Sequence, residues 1–144
     1  MLTNNSYKKA CFYLGVNSLA RLINNLAEES FSDSPVSVSY GHIILMLDLE
    51  KEICQKTIAD EMKLKTSSLS RMMLKLVKQG LIAKRCDGRK VYYKVTPKGE
   101  MIKPKIHQSF DSLNENLYKI LGEEKVKQSI DDVFCMIDSL SIRR

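Results

Sequence analysis

Apolar residues recur at steps of three or four along three long stretches of the chain, and between the first and second of these the pattern breaks into short blocks. Phe12, Val16, Leu19, Ile23 and Leu26 mark one face of an amphipathic helix, which predicts helix one over roughly residues 6–30. The serine-rich segment SFSDSPVSVS, with Pro35, then reads as a loop. It ends near Ser39, a candidate N-cap for a compact buried helix that contains Ile43, Ile44, Leu45, Met46 and Leu47 and stops near Leu49. Ile53 and Cys54 suggest a short strand, and Gln55 to Met62 carries Ile58, Ala59 and Met62 on one helical face.

Lys63 to Lys65 form a turn, after which Thr66 or Ser67 is placed to cap a helix whose inward stripe is Leu69, Met72, Met73, Leu76 and Val77. Gly80 stops that helix. Leu81–Cys86 and Val91–Thr96 are rich in strand formers and flank Asp87-Gly88, so they read as a hairpin whose tip bears Arg89 and Lys90. Pro97 suits a first helical position, and Ile102, Ile106, Phe110, Leu113, Leu117 and Leu121 continue from it as a second long stripe, with Pro104 expected to kink it. Beyond Gly122, a third stripe runs through Val126, Ile130, Val133, Ile137 and Leu140.

The predicted fold is mainly α with a small β-hairpin wing: two short helices followed by a hairpin make a winged helix-turn-helix over 37–96. Residues 1–36 and 97–144 form a helical region around it, in one compact chain. A winged helix-turn-helix of about 50 residues offers too little surface to cover three long apolar stripes, so the excess is expected to meet a second copy in a homodimer of dimerisation helices.

Charge sharpens this outline. The chain carries +6 overall, but residues 55–105 hold 14 Lys and Arg against 4 Asp and Glu, while the rest holds 9 against 13. A segment of +10 between flanks that total −4 attracts polyanions locally, and double-stranded DNA is the leading expected partner. With the inward residues set aside, the second reader helix presents Thr66, Ser67, Ser68, Ser70, Arg71 and Lys75, short hydrogen-bonding groups around one guanidinium able to grip a base or phosphate through two bonds. Lys56 and Lys65 lie before it, and Arg85, Arg89 and Lys90 on the hairpin, where they are placed for phosphates or an adjacent minor groove. The rival reading is a winged-helix module for protein contacts, but its surface is expected to be apolar, whereas Lys84, Arg85, Arg89, Lys90 and Lys94 surround Tyr92 and Tyr93 here.

Other chemistries find little support. No nucleophile-elbow, phosphate-loop, dinucleotide or HExxH pattern is present, so no enzyme and no catalytic residues are expected. His42 and His107 fall in no ligand-spaced cluster, and no metal or cofactor is expected. Cys11, Cys54, Cys86 and Cys135 are scattered without CxxC spacing, which suits reduced thiols. No apolar run approaches the roughly 18 residues that span a bilayer, and the polar start has no signal-peptide core, so a cytoplasmic location away from membranes is expected.

These blocks together resemble the MarR (multiple antibiotic resistance regulator) family of bacterial transcription factors. The likeness rests on QKTIADEM, the Ser68-Leu69-Ser70-Arg71 helix start, QGLIAKR, the D-x-R of Asp87-Gly88-Arg89, and VTPKGE. It implies a reader between dimerisation helices, binding to a pseudo-palindromic operator, repression, and release by a small ligand. One departure is the wing tip, several residues shorter than is usual before D-x-R. The ACFYL setting of Cys11 is similar to the peroxide-sensing branch, as is Tyr40, although Ile43 stands where a second tyrosine is expected there. A peroxide sensor using Cys11 is therefore an alternative expectation.

Overall fold

The computed structural model describes Ser6 and residues 10–143 of the 144-residue chain. Its elements are α1 (Phe12–Ser30), α2 (Val38–Met46), β1 (Ile53–Cys54), α3 (Gln55–Met62), α4 (Thr66–Lys78), β2 (Ile82–Asp87), β3 (Lys90–Val95), α5 (Pro97–Leu121) and α6 (Glu123–Ser141). The chain is mostly helical with one three-stranded antiparallel sheet in the order β1-β3-β2. Chain contacts divide it into two compact units, Phe31–Ser109 and the pair Met1–Ser30 with Phe110–Arg144.

In the unit Phe31–Ser109, α2 is apolar on nearly every side and is correspondingly buried, with Ile43 and Ile44 inaccessible to solvent. Also essentially buried in this unit are Ile58 of α3, Leu69, Met73 and Leu76 of α4, Ile82 and Val95 of the sheet, and Ile106 of α5. Each such side chain contributes about 1.5–3 kcal/mol relative to exposure. The spacing of Leu69, Met73 and Leu76, at four and three residues, fixes which face of α4 turns inward.

Two helix ends show how the helix-turn-helix is punctuated. Beyond α4, Gly80 adopts φ +72°, its N–H bonds to the Val77 carbonyl and the Leu81 N–H to the Leu76 carbonyl, a Schellman closure. Beyond α3 the same pair of bonds runs from Lys63 to Asp60 and from Leu64 to Ala59, but the left-handed position is filled by Lys63 at φ 53°. That residue carries a Cβ penalty a glycine escapes.

Four boundaries depart from the sequence expectation. The cap of α2 is Ser37, so Ser39 lies inside the helix, and α2 ends at Met46, three residues before Leu49. Asp48 explains the early stop: its carboxylate accepts the N–H groups of Glu50 and Lys51, so the chain turns instead of continuing as helix. Those bonds hold the Asp48 carboxyl below its ordinary range. Neither Thr66 nor Ser67 caps α4; the cap position is Lys65, in extended backbone and with no capping side chain. The hairpin is displaced by one residue, with Asp87 paired to Lys90 and only Gly88 and Arg89 in the turn. Positive φ occurs at Gly88 and not at Arg89, the type II′ pattern that matches strand twist.

The VTPKGE segment works as a latch inside this unit. The Thr96 hydroxyl donates to the Gly80 carbonyl at 2.6 Å and accepts the Gly99 N–H at 3.1 Å, capping α5 while holding the end of α4. Lys98 donates to the Gln79 carbonyl, and the Thr96 N–H to that of Leu81. Backbones approach so closely here that a Cβ on Gly99 would sit 2.1 Å from the Leu81 oxygen. Lys103 adds a brace, donating to the Leu47 carbonyl at 2.7 Å and pairing with Glu100 at 2.8 Å.

The other unit consists of α1, α6 and the part of α5 from Phe110 onward. Residues 7–9 of the predicted first helix lie outside the described residues, and from Phe12 to Ser30 the helix stands as expected. The predicted stripe of α5 runs unbroken as helix through Pro104. Ala27, Leu113 and Val126 are buried, but much of the apolar surface is not: Leu22, Ile120, Phe134 and Leu140 are each 60–64% exposed. Leu19, Leu22, Ile23 and Leu26 of α1 face Leu117, Ile120 and Leu121 of α5 across an apolar cleft of about 370 Å³. Among the described residues no helix is long and apolar enough to cross a membrane.

Substitution at the two tight points is expected to act in opposite directions. Gly99→Ala, which drives a methyl into the Leu81 carbonyl, should cost about 3 kcal/mol, and Lys63→Gly should gain about 1 kcal/mol. Urea unfolding of both variants, read as midpoint changes at constant slope, checks this.

Candidate nucleic-acid interface

Burial of Leu69, Met73 and Leu76 leaves Thr66, Ser67, Ser68, Ser70, Arg71 and Lys75 on the accessible side of α4. The first turn of α4 contains no acidic residue and its last turn contains Lys75 and Lys78. The positive end of the helix dipole is thus uncompensated where the serines lie, an arrangement favourable to anions. Lys65 immediately precedes that end and Lys56 is exposed on α3. Leu74 is the exception to the polar surface, an apolar side chain 55% exposed.

All eleven positions predicted to meet DNA lie in the unit Phe31–Ser109, but they are not equally available. Arg71, Ser67, Ser68, Arg89 and Lys90 are exposed, Arg89 within the hairpin turn and Lys90 at its edge. The Lys75 ammonium lies 5.4 Å from the centre of the Tyr40 ring, a cation–π contact that ties it to α2.

Arg85 is held most firmly. Its Nε donates to both Glu52 oxygens at 3.0 and 2.9 Å, Nη2 reaches Oε2 at 2.8 Å, and the guanidinium lies over Tyr92 with 4.8 Å to the ring centre. Asp87 stands at 3.9 Å from Nη1. The pairing register explains this cluster: Cys54, Tyr92 and Arg85 form one row across β1, β3 and β2. The hydrogen bond from Arg85 holds the Glu52 carboxyl below its ordinary range, and Glu52 raises the Arg85 guanidinium in return. Arg85 therefore fixes the wing to the segment before β1. Being exposed, the pair contributes more to geometry than to stability.

Ser70 is also engaged. The Gln55 side-chain Nε2 donates to its Oγ at 2.6 Å, while Gln55 Oε1 accepts from the Tyr93 hydroxyl at 3.1 Å. Gln55 is one of two buried polar residues among those described, and burial pushes the Tyr93 phenol above its ordinary range. Sequence reading found neither Gln55, Glu52 nor Tyr93 as partners. Glu52 and Arg85 are 33 positions apart, and Gln55 and Tyr93 are 38 apart, so no local pattern connects them.

Cys11 is half-buried in the other unit, and its Sγ accepts the Leu14 N–H at 3.5 Å. No disulfide joins the four cysteines, and no group of three or more His, Cys, Asp or Glu is arranged to hold a metal ion among the described residues.

The architecture defines a winged helix-turn-helix protein. No family model and no curated protein matches the chain. Solved structures do. AbsC, a MarR family transcriptional regulator from Streptomyces coelicolor, superposes with a TM-score of 0.77 at 16% identity, over 98% of this chain and 97% of that one. The PcaV transcriptional regulator from Streptomyces coelicolor, in complex with its natural ligand, gives 0.77 at 17% identity over 92% and 96%. The S. aureus MepR–DNA complex gives 0.74 at 18% identity over 90% and 98%. The fold of this chain is that of MarR-family transcriptional regulators.

The Arg85 clamp makes a pH-dependent prediction. Because the native Glu52 carboxyl lies below its ordinary value, its stabilising contribution is present above that ordinary value and lost as pH falls through the depressed native one. NMR titration should find Glu52 low in the wild type and restored to the ordinary glutamate range in Arg85→Gln.

Proposed function

We propose that this chain is a MarR-type transcription regulator that binds DNA sequence-specifically as a homodimer in the cytoplasm, represses from a pseudo-palindromic operator and releases it on binding a small ligand. The observation that carries this reading is the accessible face of α4, where Thr66, Ser67, Ser68 and Arg71 surround an uncompensated helix N-terminus beside a basic two-strand wing. Short hydroxyls and one guanidinium suit base edges and phosphates in a major groove, and Arg89 with Lys90 suits an adjacent backbone or minor groove. The solved MepR–DNA complex and ligand-bound PcaV, which share the fold, support the two halves of the reading.

Dimerisation is supported by the uncovered apolar side chains of α1, α5 and α6, Leu22, Ile120, Phe134 and Leu140 among them. A two-fold axis would present two α4 helices to successive major grooves, about 34 Å apart along the duplex. A ligand that changes that spacing lowers operator affinity by its preference for the mismatched state.

Fluorescence anisotropy against a duplex selected from a randomised pool, and against its scrambled counterpart, tests the reading. The selected duplex should be a pseudo-palindrome bound with a clear, salt-dependent preference; equal affinity for both duplexes would refute sequence-specific binding. Arg71→Ala should cost about 1–3 kcal/mol on the selected duplex and relax discrimination, whereas Lys90→Ala should weaken both duplexes and reduce the salt slope by about 1. In sedimentation velocity, Phe134→Glu should shift the wild-type dimer toward monomer.

A further inference from the structure

Gln55 is the first residue of α3 and follows directly on Cys54, which is paired with Tyr92 in the middle strand. Its backbone is therefore anchored to the sheet, while its side chain reaches the second turn of α4. Tyr93, on the neighbouring register pair with Ile53 and Lys84, is buried on the inner side of the sheet and donates into the same amide. A buried amide with one end unsatisfied is costly, so both bonds together hold the sheet and α4 at one spacing. With an Nε2 to Oγ distance of 2.6 Å, there is little room for α4 to rotate or slide without breaking the contact.

The bonds also have a direction. Tyr93 O–H donates to Gln55 Oε1 and Gln55 Nε2–H donates to Ser70 Oγ, so each link runs from the sheet toward the surface of α4. With an oxygen lone pair of Ser70 taken from inside, its own proton stays available to an acceptor on the outer side, and donors in a chain polarise one another in that sense. Ser70 belongs to the exposed residues of α4.

We propose that Tyr93, Gln55 and Ser70 form a relay that makes Ser70 a fixed hydrogen-bond donor on the reading face, with Gln55 and Tyr93 acting as positioning residues that set operator specificity without touching DNA. This rests on the DNA-reading function proposed above. The outward O–H selects an acceptor among the N7, O6 or O4 positions that purines and thymine present in the major groove. Discrimination by α4 then depends on a phenol in the core of the wing sheet.

Anisotropy binding of wild type, Tyr93→Phe, Gln55→Leu, Ser70→Ala, Ser70→Thr and the double variant Tyr93→Phe/Ser70→Ala, on the selected and scrambled duplexes at one salt concentration, tests the relay. Circular dichroism confirms that each variant is folded at the assay temperature. Tyr93→Phe keeps the ring that packs the core, so it remains informative if Gln55→Leu does not fold. Each of Tyr93→Phe, Gln55→Leu and Ser70→Ala should reduce the preference for the selected duplex by about five- to tenfold with scrambled affinity unchanged. The double variant should be no worse than Ser70→Ala, and Ser70→Thr, which keeps the hydroxyl, should retain most of the preference. A contribution to folding alone would lower the melting temperature and leave the preference intact, and that result overturns the relay. So does a double variant whose losses add, since Ser70 would then act independently of Tyr93. A wild-type protein without any preference overturns the DNA-reading function itself, whereas a normal wild type with an unaffected Tyr93→Phe overturns only the relay.

Discussion

The winged helix-turn-helix depends above all on the burial of one helical stripe. Leu69, Met73 and Leu76 of α4 are wholly withdrawn from solvent, and the rotation this imposes decides every outward side chain on the helix. With close packing on α3 and the sheet, a change of helix rotation would exchange buried carbon for buried hydroxyls, at several kcal/mol. The polar face is thus a by-product of hydrophobic packing, and the Thr96 latch and Lys103 brace preserve it by fixing the ends of the neighbouring elements.

On this frame, polar contacts divide the basic residues into two kinds. Some are committed within the protein: Arg85 to Glu52 and Tyr92, Lys75 to Tyr40, Lys98 to the end of α4. Others, including Arg71, Arg89 and Lys90, stand on the surface. A net positive charge attracts a polyanion at long range, but only the second kind is at liberty to reshape its hydrogen bonding around one.

Much of the fold was legible because periodicity and turn chemistry are local. The apolar spacing from Leu69 to Leu76, the stop at Gly80, the strand formers around Asp87-Gly88 and Pro97 at a helix start each speak for themselves within a few residues. The boundaries that moved were decided by competition that a short window does not contain: Asp48 captured the amides that would have prolonged α2, and full pairing of Asp87 with Lys90 shortened the turn. The candidate site divides in the same way. Exposed positions on α4 followed from subtracting the inward stripe, while the Gln55 and Arg85 clusters depend on strand pairing between distant segments and had no sequence signature. The excess of apolar surface was visible in advance too, since it required only a comparison of stripe length with the size of the helix-turn-helix.

The two-residue turn of the wing carries a consequence of its own. Ordering a backbone residue costs about 1–2 kcal/mol in conformational entropy, so a long flexible tip would surrender several times that amount on meeting a rigid surface. Here both strands are paired up to Asp87 and Lys90, and only Gly88 and Arg89 lie between. The wing arrives already ordered. What it forgoes in reach it recovers as a low entropic toll on association, and its contacts should form at the encounter rather than after a search through loop conformations.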